Sequence, residues 1–288
     1  MIHNSSVIDK NAKISKNVKI GPFCYIGPNV ELAENVELVS NVHIEGSTSV
    51  GSNTKIFPFA SIGTQPQDLK FKGEKTFLEI GKNNLIREYV TINPGTAGGG
   101  SKTIIGDNCL FMISSHIAHD CIIGNNVIIA NNVPLGGHVI IEDSVVIGGN
   151  SAVQQFTRIG RLAMIGGMTG VLKDVIPFGL SIGNRNYLQG LNLIGLRRQK
   201  YDNQKIIGLD MGGTSTDVWH YNGETEKRLE TKISGIFLKT PVLNISSIAA
   251  GGGSLIKYKQ KRFLVGPERC LLYTSPSPRD RQKSPRRS

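Results

Sequence analysis

From Ile8 an aliphatic residue returns every six positions, through Ile14, Ile20, Ile26, Leu32, Leu38, Ile44, Val50, Ile56 and Ile62. Four residues after each anchor lies a small or β-branched side chain: Ala12, Val18, Cys24, Val30, Val36, Val42, Thr48, Thr54 and Ala60. The pattern lapses after Gly63, returns at Ile80, Ile86 and Ile92, and lapses again through NPGTAGGGSK. It then holds from Ile105 through Phe111, Ile117, Ile123, Ile129, Leu135, Ile141, Ile147, Val153, Ile159 and Ile165 to Val171. A period of six is neither the 3.6 of a helix nor the alternation of a simple strand, because glycine or a polar turn residue interrupts each unit, as in IGPFCYIGPN. Each hexad therefore predicts one short strand and a turn. Three hexads close a triangular coil, and coils stack by parallel pairing at about 4.8 Å, so roughly eight of them make a prism near 40 Å tall.

The anchors and the small residues face inward in this prism, which makes Cys24, Cys109 and Cys121 core thiols. The two lapses are loops leaving it: TQPQDLKFKGEK (64–75) and the cluster Gly98, Gly99 and Gly100. After Val175 the pattern stops at Pro177, and NYLQGLNLIGLRRQKYDNQKI reads as the entry to an amphipathic helix carrying Leu188, Leu191 and Leu196. At Ile206 the composition changes again.

Composition supports a turn-rich solenoid. Of 288 residues 34 are glycine, only one is tryptophan, and 39% apolar residues suffice for a core. No stretch approaches 18 apolar residues, and MIHNSSVIDKNAK lacks the apolar core of a secretory leader, so the expectation is a cytoplasmic chain without a membrane span. Four cysteines without a CxxC pair argue against a disulfide framework or zinc ribbon. The net charge of +11 does not indicate a nucleic-acid partner. Its largest local excess lies in the last twenty residues, with six Lys and Arg against one acidic residue.

The chemistry concentrates in SSHIAHDC, which holds His116, His119 and Asp120, and in His138, nineteen residues after His119. With a coil of three hexads, Gly137 stacks beside His119 and His138 beside Asp120. His119 with Asp120 suits a general base near neutral pH, and a glycine one coil away lets its N–H approach a developing oxyanion. Two other readings stand beside this one. The histidines could be solvated on a turn-rich surface, or they could hold a metal, for which no acidic or cysteine ligand completes a set. The expectation is no metal and no cofactor.

The runs IGPFCYIGPNVEL, FASIGTQPQDLKFKGE, IREYVTINPGTAGGG, MISSHIAHDCIIGNNVIIANN, LGGHV and GLRRQ resemble the acyl-acyl-carrier-protein:UDP-N-acetylglucosamine O-acyltransferase family of lipid A biosynthesis, over residues 1 to about 205. The resemblance implies a mainly β fold, a left-handed parallel β-helix over 1–183, with the start of a C-terminal helical domain at 184–205. It further implies that His119 takes the proton of the sugar 3-hydroxyl, that Asp120 orients it and that the Gly137 N–H faces the thioester oxygen. Asp68 and Lys70 would reach a neighbouring subunit's site, His116, His138 and Gln155 would contact substrate, and Asn192 and Arg198 would lie near the nucleotide. Acyl carrier protein, UDP-N-acetylglucosamine and a homotrimer are the implied partners. This chain departs from the family pattern at Gln154, Ile194 and Gln199. The alternatives are another hexapeptide-repeat acyltransferase using acyl-CoA and a non-catalytic β-helical scaffold.

Beyond Gln204, IIGLDMGGTSTDVWHYNGE, SSIAAGGGSLIKYK and FLVGPE resemble the hydantoinase and 5-oxoprolinase family over 206–268. Asp210, Gly212, Gly213, Thr214, Ser215, Thr216 and Asp217 have the composition of a phosphate-binding hairpin. The stretch is too short for a two-lobed ATPase and is expected to be an incomplete, β-rich fragment. Residues 269–288, RCLLYTSPSPRDRQKSPRRS, read as a disordered tail that does not belong to either family, which makes the chain a composite.

Overall fold

The computed structural model describes residues 1–200 throughout and, beyond them, the backbone of nine strands between Ile206 and Gly266. The chain divides into two units, Met1–Gln204 and Lys205–Ser288.

In the first unit the hexads form three parallel sheets of nine, eight and ten strands, most of the strands only two residues long. Strand partners are one coil apart, so Val7 pairs with Tyr25, Lys13 with Glu31 and Ile128 with Val146. This is a parallel β-helix, and two register steps are longer than one coil. Ser61 pairs with Thr91 and Phe77 with Lys102, because the two loops lie between the strands that should be neighbours. The coils close beneath the loops without a break in the ladder.

Packing follows the period. Ile26, Ile44, Ile62, Ile92, Ile117 and Leu135 are almost wholly buried, as are Val30, Val36, Val42, Val127, Val133 and Val139 from the small positions. Phe111, also fully buried, is the largest side chain among them. The core thiols are buried as expected, and burial pushes the Cys109 thiol up to about 11 and that of Cys121 to about 12, which keeps both protonated and unreactive. At the coil corners the chain turns through left-handed residues, many of them Asn, such as Asn35, Asn53, Asn126 and Asn132. Most such corner residues donate their N–H to a carbonyl of the preceding coil: Asn53 to Glu34, Asn126 to Asp107, Asn132 to Ile113. Asn side chains add an amide ladder from Asn35 to Asn53 to Asn83 to Asn108, with spacings of 3.2, 3.2 and 3.1 Å. The corners thus fix the stacking as firmly as the strands do.

The entry to an amphipathic helix expected after Pro177 is corrected at its first part. Tyr187–Leu191 is extended and pairs antiparallel with Gly179–Ile182, whose other edge continues the ten-stranded sheet parallel to Met164–Ile165. Only Leu193–Arg198, here α1, is helical. Gly179–Ile182 has a row of N–H and C=O groups on its outer edge, and the antiparallel strand pairs them. Leu191 and Leu196 are buried in this cap. Among the described residues no helix is long and apolar enough to cross a membrane.

In the second unit Ile206–Met211 pairs antiparallel with Thr216–Tyr221, placing Asp210 opposite Asp217, and Ser246–Ile248 adds to the second strand. Three further antiparallel pairs follow, Lys227–Arg228 with Val242–Leu243, Thr231–Ile233 with Ile236–Leu238, and Leu255–Lys259 with Arg262–Gly266. The expectations for Gly212, Gly213, Thr214, Ser215, Cys270 and the tail 269–288 lie outside the described residues.

Because Phe111 fills the axis between coils, Phe111→Ala should lower unfolding free energy by about 3–5 kcal/mol, read from urea unfolding followed by far-UV circular dichroism. A loss under about 1 kcal/mol would mean that the axial column repacks around the gap.

Candidate active site

One corner of the prism carries the chemistry. Along it stack His119, Gly137 and Gln155, and beside them the left-handed residues Asp120, His138 and Phe156, with φ of 59°, 61° and 64°. An aspartate, a histidine and a phenylalanine in this conformation each carry a cost of about 1–2 kcal/mol. The coil stack holds them: the His138 N–H donates to the His119 carbonyl at 3.0 Å, and that of Phe156 to the Gly137 carbonyl at 3.0 Å.

His119 Nδ1 donates to Asp120 Oδ2 at 2.8 Å, which leaves the lone pair of the neutral ring on Nε2. The imidazole lies against Gly137. A Cβ on that glycine would stand 2.6 Å from His119 Cε1 and 2.7 Å from Nε2, so only glycine permits the approach. Among the described residues the Gly137 N–H meets no acceptor. A base nitrogen and a free backbone donor therefore sit side by side, the pairing that proton abstraction with oxyanion stabilisation requires.

The Asp120 side chain has no solvent exposure. A buried carboxylate must be hydrogen-bonded, and this one is. Thr96 N–H donates to Oδ1 at 2.9 Å and to Oδ2 at 3.1 Å, and Thr96 Oγ1 donates to Oδ2 at 2.6 Å. Thr103 Oγ1 accepts the Asp120 N–H at 2.8 Å. The loop from Thr96 to Gly99 thus folds back over the carboxylate. A Cβ at Gly99 would fall 2.1 Å from Asp120 Cγ, so the glycine cluster is shaped by a close approach as well as by a turn.

His138 stacks on Phe156, with centroids 4.5 Å apart and planes at 8°, and meets the His119 ring edge-on at 5.1 Å. Its Nε2 lies 4.0 Å from Asp120 Oδ2. His116 Nδ1 lies 2.7 Å from Thr91 Oγ1. Burial, and then the neighbouring His119, push its imidazole below the ordinary 6.5. The reading that no acidic ligand completes a metal set is corrected, because ligand atoms of His119, Asp120 and His138 all lie within 4.8 Å of one another. Yet the Asp120 oxygens already receive Thr96 and His119 donors in a fully buried pocket, so this trio fits an orienting carboxylate better than a metal ligand.

Asp68, Lys70, Asn192 and Arg198 are not brought to this corner within one chain. Asp68 and Lys70 stand on the first loop, where Asp68 Oδ1 accepts the Lys70 N–H at 3.0 Å and its carbonyl accepts that of Phe71, closing a turn. The loop is tethered by Asn93, which donates to the Thr64 and Gln65 carbonyls, and by Glu74, which accepts the Lys72 and Ala97 N–H groups. Those backbone donors, that of Lys72 first, hold the Glu74 carboxyl below the usual carboxylate range. Gln155 is exposed one coil beyond Gly137. Asn192 caps α1 by accepting the Gly195 N–H at 3.0 Å and donates to the Leu162 carbonyl at 2.9 Å, while Arg198 is exposed in the last turn.

Sequence reasoning missed Thr96, Thr103, Thr91 and Phe156, and placed Gly99 in a loop without its contact to Asp120. Thr103 was within reach, since it occupies the inward small position one coil before Cys121. Thr96 and Gly99 fall in the aperiodic NPGTAGGGSK run, where no spacing says which residue folds back.

Comparison with known proteins places these features in context. The family "Bacterial transferase hexapeptide (six repeats)" matches residues 1–34, 11–46 and 102–137, and "Hydantoinase/oxoprolinase" matches residues 191–283. The acyl-[acyl-carrier-protein]--UDP-N-acetylglucosamine O-acyltransferase of Paracoccus denitrificans (strain Pd 1222) is 56% identical over 154 residues, 54% of this chain and 59% of the relative. That of Aliarcobacter butzleri (strain RM4018) is 51% identical over 158 residues, 55% of this chain and 60% of the relative. The chain thus spans about three fifths of the length of the curated relatives it matches. A solved UDP-N-acetylglucosamine acyltransferase superposes with a TM-score of 0.68 at 50% identity, covering 69% of this chain and 77% of its own. The one from Bacteroides fragilis 9343 gives 0.69 at 44% identity, over 70% and 79%. The β-helix is therefore the left-handed one.

A histidine that resists protonation in the fold contributes stability that is complete above 6.5 and is lost as pH falls from there toward its depressed value. The stability advantage of the parent over His116→Gln should therefore shrink between pH 7.5 and pH 5.5, measured by urea unfolding. An unchanged or growing advantage would show that His116 protonates as readily folded as unfolded.

Proposed function

The chain belongs, through its β-helix, to the UDP-N-acetylglucosamine acyltransferase family, and from that premise we propose that it transfers a 3-hydroxyacyl group from acyl carrier protein to the 3-hydroxyl of UDP-N-acetylglucosamine, the first step of lipid A biosynthesis. The observation that carries the reading is the His119 and Asp120 pair laid against a glycine whose N–H is free.

His119 Nε2 accepts the proton of the sugar 3-hydroxyl as the oxygen attacks the thioester carbonyl carbon. Asp120 holds the ring in the required tautomer and stabilises the imidazolium that forms. The Gly137 N–H donates to the oxyanion of the tetrahedral intermediate. Collapse breaks the carbon–sulfur bond, and the departing thiolate takes the proton back from His119. No metal and no redox cofactor enters this sequence.

His138 and Gln155 line the same corner, His116 lies near His119, and all three would contact substrate. Asp68 and Lys70 stand on a loop tied down at its ends, and in a homotrimer that loop would serve the site of a neighbouring subunit. Asn192 spends both side-chain groups on capping and tethering, so its part in nucleotide binding would be to hold the segment that carries Arg198. A cytoplasmic location fits both substrates. Residues 206–268 are read as an incomplete hydantoinase-like piece, without ATPase activity, in a composite chain.

Purified full-length chain, given acyl carrier protein thioesters and UDP-N-acetylglucosamine, should yield 3-O-acyl UDP-N-acetylglucosamine by mass spectrometry. His119→Ala should lower kcat by about 10²- to 10⁴-fold, and Gly137→Ala should do comparable damage by displacing the His119 ring. No product from the folded parent, or full product from His119→Ala, would overturn the reading.

A further inference from the structure

Asp120 is a fully buried carboxylate that, among the described residues, has no Lys or Arg in ion-pair range; its only charged-group neighbours are His119 and, at 4.0 Å, His138. Uncompensated, a buried carboxylate would take up a proton and cease to be an acceptor for His119. It has three close side-chain-directed donors, and two belong to one residue: the N–H and the O–H of Thr96. The third is His119 Nδ1–H itself.

We propose that Thr96 is a positioning residue, which sets the orientation and charge density of Asp120 and through it the aim and basicity of His119. The inference rests on the acyl-transfer reading for what His119 does.

The Thr96 contact has the length of a charge-assisted O–H···O bond, 2.6 Å. Thr96 is itself buried and held from behind, since its carbonyl accepts the N–H groups of both Gly99 and Ser101, at 3.0 and 2.9 Å. The next N–H, of Ala97, is taken by Glu74 at 3.2 Å. The hydroxyl donates to Asp120 Oδ2, the very oxygen that receives His119. Electron density given to Thr96 is withheld from the imidazole. With the hydroxyl in place, Asp120 orients His119 while stabilising its protonated form less than a bare carboxylate would. Gly99 completes the arrangement, because its missing side chain lets the loop sit on the carboxylate and keep water from it. Three titratable groups face His119 in this corner: Asp120, His138 edge-on, and His116, which lies close enough for the two charges to oppose each other.

The test uses the full-length parent, Thr96→Val and Thr96→Ser. The His119 ring is titrated by NMR, and kcat and KM are measured with acyl carrier protein thioester and UDP-N-acetylglucosamine. Thr96→Val should raise the His119 midpoint by roughly half a unit or more, move the acid limb of the kcat profile upward with it, and lower plateau kcat about tenfold. Both KM values should stay within about twofold, and Thr96→Ser should restore midpoint and rate. A His119 midpoint unchanged or lowered in Thr96→Val, or a Thr96→Ser as impaired as Thr96→Val, overturns the proposal. Should Thr96→Val fail to fold, Thr96→Cys, with a weaker donor, must shift the midpoint in the same direction or the proposal fails. If the parent yields no product, the function reading has failed on its own, and the NMR titration still decides the role of Thr96.

Discussion

Every feature of the first unit depends on the coil register. A strand of two residues has too few ladder bonds to choose its partner, so the choice is made at the corners, where a left-handed residue donates its N–H to the coil before it. The corner bond and the inward anchor act together. Slipping the chain by one residue would break the former and turn the latter to solvent, so the stack admits one alignment. That alignment makes residues far apart in sequence into neighbours at every coil.

The candidate site exploits this regularity at one corner and then departs from it. His119, Gly137 and Gln155 are stacked by the common repeat, as are Asp120, His138 and Phe156. Asp120, however, cannot be served by the repeat alone. Many corner positions carry an asparagine, such as the exposed Asn53, Asn126 and Asn132, whereas this aspartate is covered by the second loop and held by Thr96 and Thr103. The aperiodic segment supplies what the periodic one cannot, a pair of donors aimed inward at a corner. The first loop is anchored to the same region through Glu74 and Asn93, so both interruptions of the solenoid converge on the side where the histidines lie.

The C-terminal end of the prism shows the same economy. A parallel stack cannot close by repeating itself, because its last edge remains open. Tyr187–Leu191 turns back antiparallel, and Asn192 fastens α1 to the Leu162 carbonyl. Leucines at 188, 191 and 196 have a spacing compatible with a helix, and pairing with Gly179–Ile182 overrode that spacing for the first two.

How much was legible depended on whether periodicity carried it. The coil architecture, the inward thiols, and the placement of Gly137 beside His119 and His138 beside Asp120 all followed from a six-residue repeat read from the chain, because stacking converts sequence interval directly into distance. Asp68 and Lys70 could be assigned to a loop but not aimed, since a loop's course is set by the groups that tether it. The contacts of Thr96 and Gly99 were invisible for the same reason, both lying in a run of small residues with no period to aim them. The sequence by itself determined which residues share a corner; only the tertiary structure decided that a loop folds back to give a buried carboxylate its donors, because that contact answers to desolvation and hydrogen bonding and not to any repeat.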